Sequence, residues 1–282
     1  MKVSIVTPSY NQAEFLERTI RSVVDQDYPD KEYIIIDGGS SDQSVSIIRK
    51  YEDRITSWVS EKDEGQSHAI NKGFSKTTGD IICWLNSDDV FVPGVLSRVV
   101  EMFQKNPSVD CIYGATYTID QHDQIRFARH ELPFDFNIML FTMNYIPQSS
   151  TFWRRSVYEK VGPLRQDLHY TMDHEYWLRF YKHGITFMYV DDFFSYYRWH
   201  GESKGTINSG KIALEKSWLR RDYADLTPFR HTYRWLYPVL NIWYRFKRQA
   251  IKIFTYGRFE IIPQSWVRAY LKNVKGHFKN AG

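Results

Sequence analysis

The sequence predicts an α/β fold: a mainly parallel, Rossmann-like sheet with helices on both faces, followed by a helical C-terminal extension. Three observations predict it. Through residue 115, short β-branched runs alternate with amphipathic stretches at the roughly 10–15-residue spacing of βαβ units. These runs are unbroken apolar segments, the pattern of strands covered on both faces. After His200 the chain reads as helix to its end, interrupted at Pro228, Pro238 and Pro263.

Lys2 to Thr7 forms the first strand, ended by Pro8. Asn11 is an N-cap with Glu14 three residues on, and Leu16, Ile20, Val23 and Val24 follow at helical spacing. Tyr33 to Ile36 is the second strand, stopped by the turn Asp37-Gly38-Gly39-Ser40. Asp42 caps a helix carrying Val45, Ile48 and Tyr51. Ile55 to Val59 is the third strand, and a helix runs through Ala69, Ile70, Gly73 and Phe74. The fourth strand, Ile81 to Leu85, leads into Asn86-Ser87-Asp88-Asp89, and Pro93 opens a helix with Val95, Leu96, Val99, Met102 and Phe103. From Tyr113 the rhythm changes. Ala115 to Arg129 reads as a hairpin around Gln121-His122-Asp123, with helical patches at 135–143, 154–160 and 172–183 and strand-like runs at 149–153 and 186–190. The expected organisation is a ligand-binding βαβ half over 1–115, a second half of the same domain over 116–205, and the extension over 206–282.

Of the 282 residues, 43% are apolar and 25% charged, which excludes disordered, collagen-like and coiled-coil classes. No run of about 18 uncharged apolar residues is present, so no spanning helix is expected. Met1-Lys2 leads straight into Val3 to Val6 without a signal-peptide pattern. The two cysteines, Cys83 and Cys111, sit in apolar runs, which fits core packing in a reducing, cytoplasmic compartment. Charge is unevenly spread. Residues 230–282 hold eleven Lys/Arg against the single acid Glu260, a net +10, which leaves −6 for residues 1–229. Such a split points to an anionic partner surface.

In open parallel sheets, ligands bind beyond the carboxyl ends of the strands. There the sequence puts Thr7 to Asn11, then Asp37-Gly38-Gly39, then Glu61-Lys62-Asp63-Glu64-Gly65, then Asn86-Ser87-Asp88-Asp89. So many acids on one rim repel one another unless a cation joins them. Carboxylate oxygens suit Mg²⁺ or Mn²⁺, with phosphate oxygens and water completing the shell, so a metal-bound phosphate ester is the expected ligand. The chain lacks a P-loop and a G-x-G-x-x-G after strand one, against P-loop hydrolases and NAD-dependent dehydrogenases.

Those segments, with Asn71-Lys72-Gly73, Pro147-Gln148, Met172-Asp173-His174-Glu175-Tyr176-Trp177-Leu178-Arg179 and Tyr197-Arg198-Trp199-His200, resemble the family 2 glycosyltransferases over roughly residues 1–205. The family consists of inverting enzymes with the GT-A nucleotide-diphosphosugar fold. The resemblance implies that Thr7, Pro8 and Tyr10 line the base pocket, that Asp37 accepts from a uracil-type N–H, and that Asp63 sits beside the nucleoside. It implies a metal motif at Asp88 and Asp89. The first position of that motif, commonly Asp, is Asn86 here, which leaves open which carboxylate takes the metal and which the ribose; Asp88 is the first candidate, Asp89 its support. Asp173 matches the catalytic base, His200 approaches metal or diphosphate, and Gln148 and Glu175 touch donor sugar or acceptor.

Each residue also has a plainer reading. Asp37 before Gly-Gly suits a turn, Asp88-Asp89 a cap, and Asp173 a dipole-stabilising first-turn acid with Glu175 as the rival base. His200 suits a core histidine, Gln148 a polar loop residue. In the tail, Trp235, Trp243, Phe246, Phe254, Phe259, Trp266 and Tyr270 interleave with cations, which suits either an anionic membrane surface or packing on the body or across a homodimer. No nucleic-acid-binding motif accompanies the charge. The resemblance therefore implies a nucleotide-diphosphate sugar as donor and a saccharide or lipid-linked acceptor, as in bacterial polysaccharide assembly at the inner face of a membrane. Its rivals are a nucleotidyltransferase and a non-catalytic nucleotide-sugar-binding or scaffold module.

Overall fold

The computed structural model describes residues 1–200 and 209–256. Its strands are β1 (Val3–Ser9), β2 (Lys31–Asp37), β3 (Ser57–Ser60), β4 (Ile81–Trp84), β5 (Val90–Phe91), β6 (Cys111–Ile119), β7 (Ile125–Arg129), β8 (Thr151–Arg154) and β9 (Phe187–Arg198). Its α-helices are α1 (Ala13–Val24), α2 (Ser44–Lys50), α3 (Gln66–Phe74), α4 (Val95–Lys105), α5 (Phe136–Phe141), α6 (Arg155–Val161), α7 (Met172–Lys182), α8 (Ser209–Tyr223) and α9 (Tyr233–Tyr256). One sheet runs β3-β2-β1-β4-β8-β6-β9-β5, with β7 on β6 beside that path.

The first four strands pair in parallel, as expected of βαβ units. Beyond β4 the sheet is mixed: β8 is antiparallel to both β4 and β6, while β6 and β9 are parallel. The sheet thus crosses residue 115 without a break. Ile5, Ile35, Ile82, Cys83 and Ile112 are wholly or almost wholly buried along it, and α3 lies so close that a Cβ on Gly73 would overlap Val6. Trp84, Trp153 and Trp177 meet in one aromatic cluster with ring centroids 5.6–5.9 Å apart, which joins the two halves of the sheet to α7.

Several local expectations are corrected. Pro8 does not end β1: it pairs with Ile36, and β4 leaves the β1 ladder after Val6, so the missing N–H forfeits no bond. Asn11 is not the cap of α1. It has φ +50°, and its side-chain oxygen accepts from the Ser41 N–H. Asp42 does the capping for two helices, accepting from Ala13 N at 2.9 Å and Ser44 N at 2.9 Å. β9 is far longer than the expected 186–190, because a bulge carries it past Gly114, where a Cβ would lie 2.6 Å from the Asp192 carbonyl oxygen. Pro238 lies inside α9 instead of breaking it, as the sixth residue of the helix, where its missing N–H forfeits one helical hydrogen bond. The tail beyond Tyr256, including Phe259, Trp266, Tyr270 and the expected break at Pro263, lies outside the described residues.

Candidate active site

The carboxyl ends of β1, β2 and β3 and the segment after β4 build one rim. Thr7 lies beneath it: the residue is wholly buried and its hydroxyl accepts from Tyr33 at 3.1 Å. Pro8 is also buried, while Tyr10 projects with 61% of its surface exposed. Asp37 is buried and serves its own turn. Its oxygens accept from Gly39 N, Ser40 N, the Ser40 hydroxyl and the Ser60 hydroxyl, at 2.6–3.2 Å. That fills the roughly four acceptor positions of a carboxylate. Asp63 is brought against this turn, its carboxylate 2.5 Å from where a Cβ on Gly38 would stand, so a side chain there would push the carboxylate aside. The Gly65 N–H holds the Asp63 carboxylate in place at 2.8 Å.

After β4 the polar residues separate by role. Asn86 is a hub: its oxygen accepts from Gln66 at 2.8 Å, and its amide donates to Gln148 at 2.9 Å and to Asp89 at 3.3 Å. Gln148 in turn donates to the Trp84 carbonyl. Asp89 is buried, and its other oxygen accepts the Arg198 N–H at 2.9 Å. Burial first, and the Asp88 charge second, push its pKa well above the usual carboxylate range. Asp88 is different. Its side chain keeps 25% of its surface exposed, and Oδ2 lies 3.1 Å from His200 Nε2.

Arg198, whose role the sequence reading did not assign, positions this segment. Fully buried, it donates through Nε to the Asp88 carbonyl at 2.9 Å and through Nη1 to the Asp120 carbonyl at 2.7 Å, and it covers the Phe15 ring at 4.8 Å. His200, two residues on, packs against the same ring at 5.1 Å. The end of β9 thereby fixes both the acid segment and the imidazole that meets it.

Asp173 sits in the first turn of α7. Oδ1 accepts from His174 N at 2.7 Å and Oδ2 from Asn144 Nδ2 at 2.7 Å. These bonds favour the carboxylate, as does the helix dipole, but burial outweighs them and raises the pKa to about 6. His174, buried with Nε2 on the Met139 carbonyl at 2.9 Å, has its pKa lowered to about 3 by burial and stays neutral beside it. Glu175 is not brought to the rim. It is 2% exposed, bridged by Arg179 at 2.8 and 3.1 Å and by the Tyr223 hydroxyl at 2.6 Å, a lock between α7 and α8.

Burial raises the pKa of the Tyr197 hydroxyl, and the charges of Asp89, Asp88 and Asp173 raise it further, against Arg129, which lowers it. Among the described residues no third His, Cys, Asp or Glu joins Asp88 and His200 to close a cage around a metal ion. A convergent carboxylate oxygen and imidazole nitrogen fit a divalent cation whose remaining ligands come from phosphate and water.

A mixed sheet with a parallel first half and acids along its carboxyl rim defines a GT-A-like fold, and solved structures match it. TarS 1–349 of S. aureus in complex with UDP-GlcNAc aligns with a TM-score of 0.67 over 95% of this chain and 79% of that one, at 15% identity. The mannosyltransferase PcManGT of Pyrobaculum calidifontis in complex with GDP-Man and Mn²⁺ aligns with a TM-score of 0.59 over 100% of this chain and 81% of that one, at 16% identity. The family model described as Glycosyl transferase family 2 matches residues 4–162, and the chain belongs to that family. An uncharacterized glycosyltransferase of Nostoc sp. is 35% identical over 177 residues, covering 58% of this chain and 54% of its own length. The putative teichuronic acid biosynthesis glycosyltransferase TuaG of Bacillus subtilis is 35% identical over 106 residues, 36% of this chain and 42% of its own length. The chain thus spans about half the length of these two relatives.

Proposed function

We propose that the protein transfers a sugar, with inversion, from a nucleotide diphosphate donor, in the first place UDP-linked, to a hydroxyl of a saccharide or lipid-linked acceptor in cell-surface polysaccharide or glycolipid assembly. The observation that carries this reading is the partly open Asp88 carboxylate held 3.1 Å from His200 at the carboxyl rim of a chain of this family. The UDP-GlcNAc and GDP-Man bound by the structural neighbours support the donor class.

In this reading Tyr10, Pro8 and Asp63 border the nucleoside. Asp37 shapes their turn and meets a base N–H by exchanging the rotatable Ser60 hydroxyl. Asp88 and His200 hold Mg²⁺ or Mn²⁺, the imidazole favouring Mn²⁺, and Asp89 supports them from beneath by fixing the Arg198 backbone. The cation, when bound, supplies neutralisation of the charge that develops on the leaving diphosphate. Asp173 takes the proton of the acceptor hydroxyl as that oxygen attacks the anomeric carbon, a single displacement that inverts the centre; a pKa near 6 suits a base working at neutral pH. Gln148, tied to Asn86, faces the donor sugar.

The reading extends to a peripheral position on the cytoplasmic face of an anionic membrane. α9 carries no acidic residue, and Trp235, Val239, Ile242, Trp243, Phe246 and Phe254 are 61–90% exposed along it, with Arg234 and Arg245 also exposed. A second copy of the chain is the competing occupant of that face.

The test is Asp173→Asn assayed for transfer and for UDP binding. The reading expects transfer to fall by roughly 10²–10⁴-fold with UDP affinity retained; normal turnover in that variant overturns it.

A further inference from the structure

The start of α7 is tied to α8 by a buried carboxylate. Glu215 accepts the N–H groups of His169, Tyr170 and Thr171 at 2.9–3.0 Å, and the Thr171 hydroxyl at 3.0 Å. The next residue, Lys216, is therefore carried to the Asp173 end of α7, and its charge acts on both Asp173 and His174. Lys216 has no hydrogen bond or ion pair among the described residues. Burial lowers its pKa, and so do the charges of Arg220 and Arg245.

Arg220 lies one turn further along α8. It also lacks an acidic partner among the described residues, and it stacks over the Tyr237 ring at 4.1 Å. It lines an open cleft of about 320 Å³ between α8 and α9, together with Arg221, Arg234, Trp218, Tyr233 and Tyr237. No acid lines this cleft; Arg221 reaches Asp222 at its edge. Arg220 is half-buried without an acid of its own, and with the exposed Arg221 and Arg234 beside it like charges repel unless an anion joins them. A cleft lined by one sign of charge concentrates the opposite ion, and guanidinium forks match phosphate oxygens.

We propose that this cleft is an anion subsite of the acceptor: it takes a phosphate ester or diphosphate group borne by the acceptor, held by Arg220, Arg221 and Arg234, while Lys216 bridges from that group to Asp173. The acceptor is then a phosphorylated alcohol or saccharide and not a neutral sugar. The inference rests on the proposed reading of the chain as a transferase with a nucleotide-sugar donor, and the test separates the two.

The probe is glycerol 3-phosphate titrated by calorimetry into the full chain with the donor rim saturated by UDP and Mg²⁺. It is expected to bind the wild type, and binding is expected to weaken roughly tenfold or more, the worth of a charged hydrogen bond, in Arg220→Gln and in Arg234→Gln, with UDP affinity unchanged and with partial recovery in Arg220→Lys. Arg234 is exposed, so its substitution leaves the fold intact, and unchanged UDP affinity reports a folded chain. A second arm uses vesicles of phosphatidylglycerol against phosphatidylcholine. An Arg220-dependent preference for the anionic vesicles alone names a lipid headgroup as the source of the phosphate, since Arg234 also lies on the exposed face of α9, and dependence with glycerol 3-phosphate names a soluble one; either supports the subsite. No binding of either probe, or binding indifferent to Arg220 and Arg234, overturns the proposal. If the wild type fails to bind UDP, the donor reading falls, while the arginine dependence of phosphate binding still decides the subsite.

Discussion

His200 Nε2 stands 3.1 Å from Asp88 Oδ2 although 112 residues separate them. Arg198 explains the meeting. Its backbone N–H binds Asp89 and its guanidinium binds the Asp88 carbonyl, so β9 ends with its imidazole against the only carboxylate of the Asn86–Asp89 segment that keeps solvent-facing surface. The departure at Asn86 fits the same picture. An amide both donates and accepts, and here it ties Gln66, Gln148 and Asp89 together in a way a carboxylate could not.

Asn86→Asp tests this division of labour. The new carboxylate loses the donor bonds to Gln148 and Asp89 and sets like charge against the buried Asp89. A loss of about 1–3 kcal/mol in urea unfolding is expected, with weaker UDP binding in the presence of Mn²⁺. A variant that is fully stable and binds UDP more tightly would show that position 86 is a metal position held open.

The rate–pH profile reads the environment of Asp173 directly. Its pKa is raised to about 6, and in its proposed role as base it works as the carboxylate, so the transfer rate is expected to fall about tenfold for each pH unit below that value. Asn144→Ala removes a hydrogen bond to the carboxylate and so moves the acidic limb upward by roughly one pH unit. An acidic limb that stays fixed in Asn144→Ala argues that another group sets it.

Arg198→Met should be costly. It strips donors from the half-buried Asp88 carbonyl and the buried Asp120 carbonyl and leaves the Phe15 face uncovered, for an expected loss of about 2–5 kcal/mol by denaturant titration. Neutral behaviour would mean that the segment after β4 holds itself.

Replacing Trp235, Trp243 and Phe246 by Ser on the outer face of α9 is expected to reduce sedimentation with anionic vesicles while donor binding persists, since these side chains are 61–86% exposed. Undiminished vesicle binding, or a dimer dissociated by the same substitutions, assigns the face to something other than lipid.

The βαβ half was legible because buried parallel strands are written as apolar runs: Val3 to Val6, Tyr33 to Ile36 and Ile81 to Leu85 need no tertiary information. The second half was less so. β5 has two residues, and β9 hides behind Asp191-Asp192, whose polarity reads as a loop where the chain bulges past Gly114. At the rim, the acids could be named from their positions after strands, but which stay open to a ligand depends on partners far along the chain. Asn144 for Asp173 and Lys216 beside it carry no periodic signal. Glu175 did carry one: Arg179 four residues on is the spacing of a helical ion pair, and it points to the lock the structure contains.

The most direct measurement is a calorimetric titration of UDP into the full chain with Mn²⁺ and again with the metal chelated, repeated for Asp88→Asn and His200→Gln. The account expects metal-dependent binding in the wild type, weakened roughly tenfold or more in both variants, because each removes a side chain proposed to hold the metal. UDP affinity indifferent to Mn²⁺ and to both substitutions would contradict it.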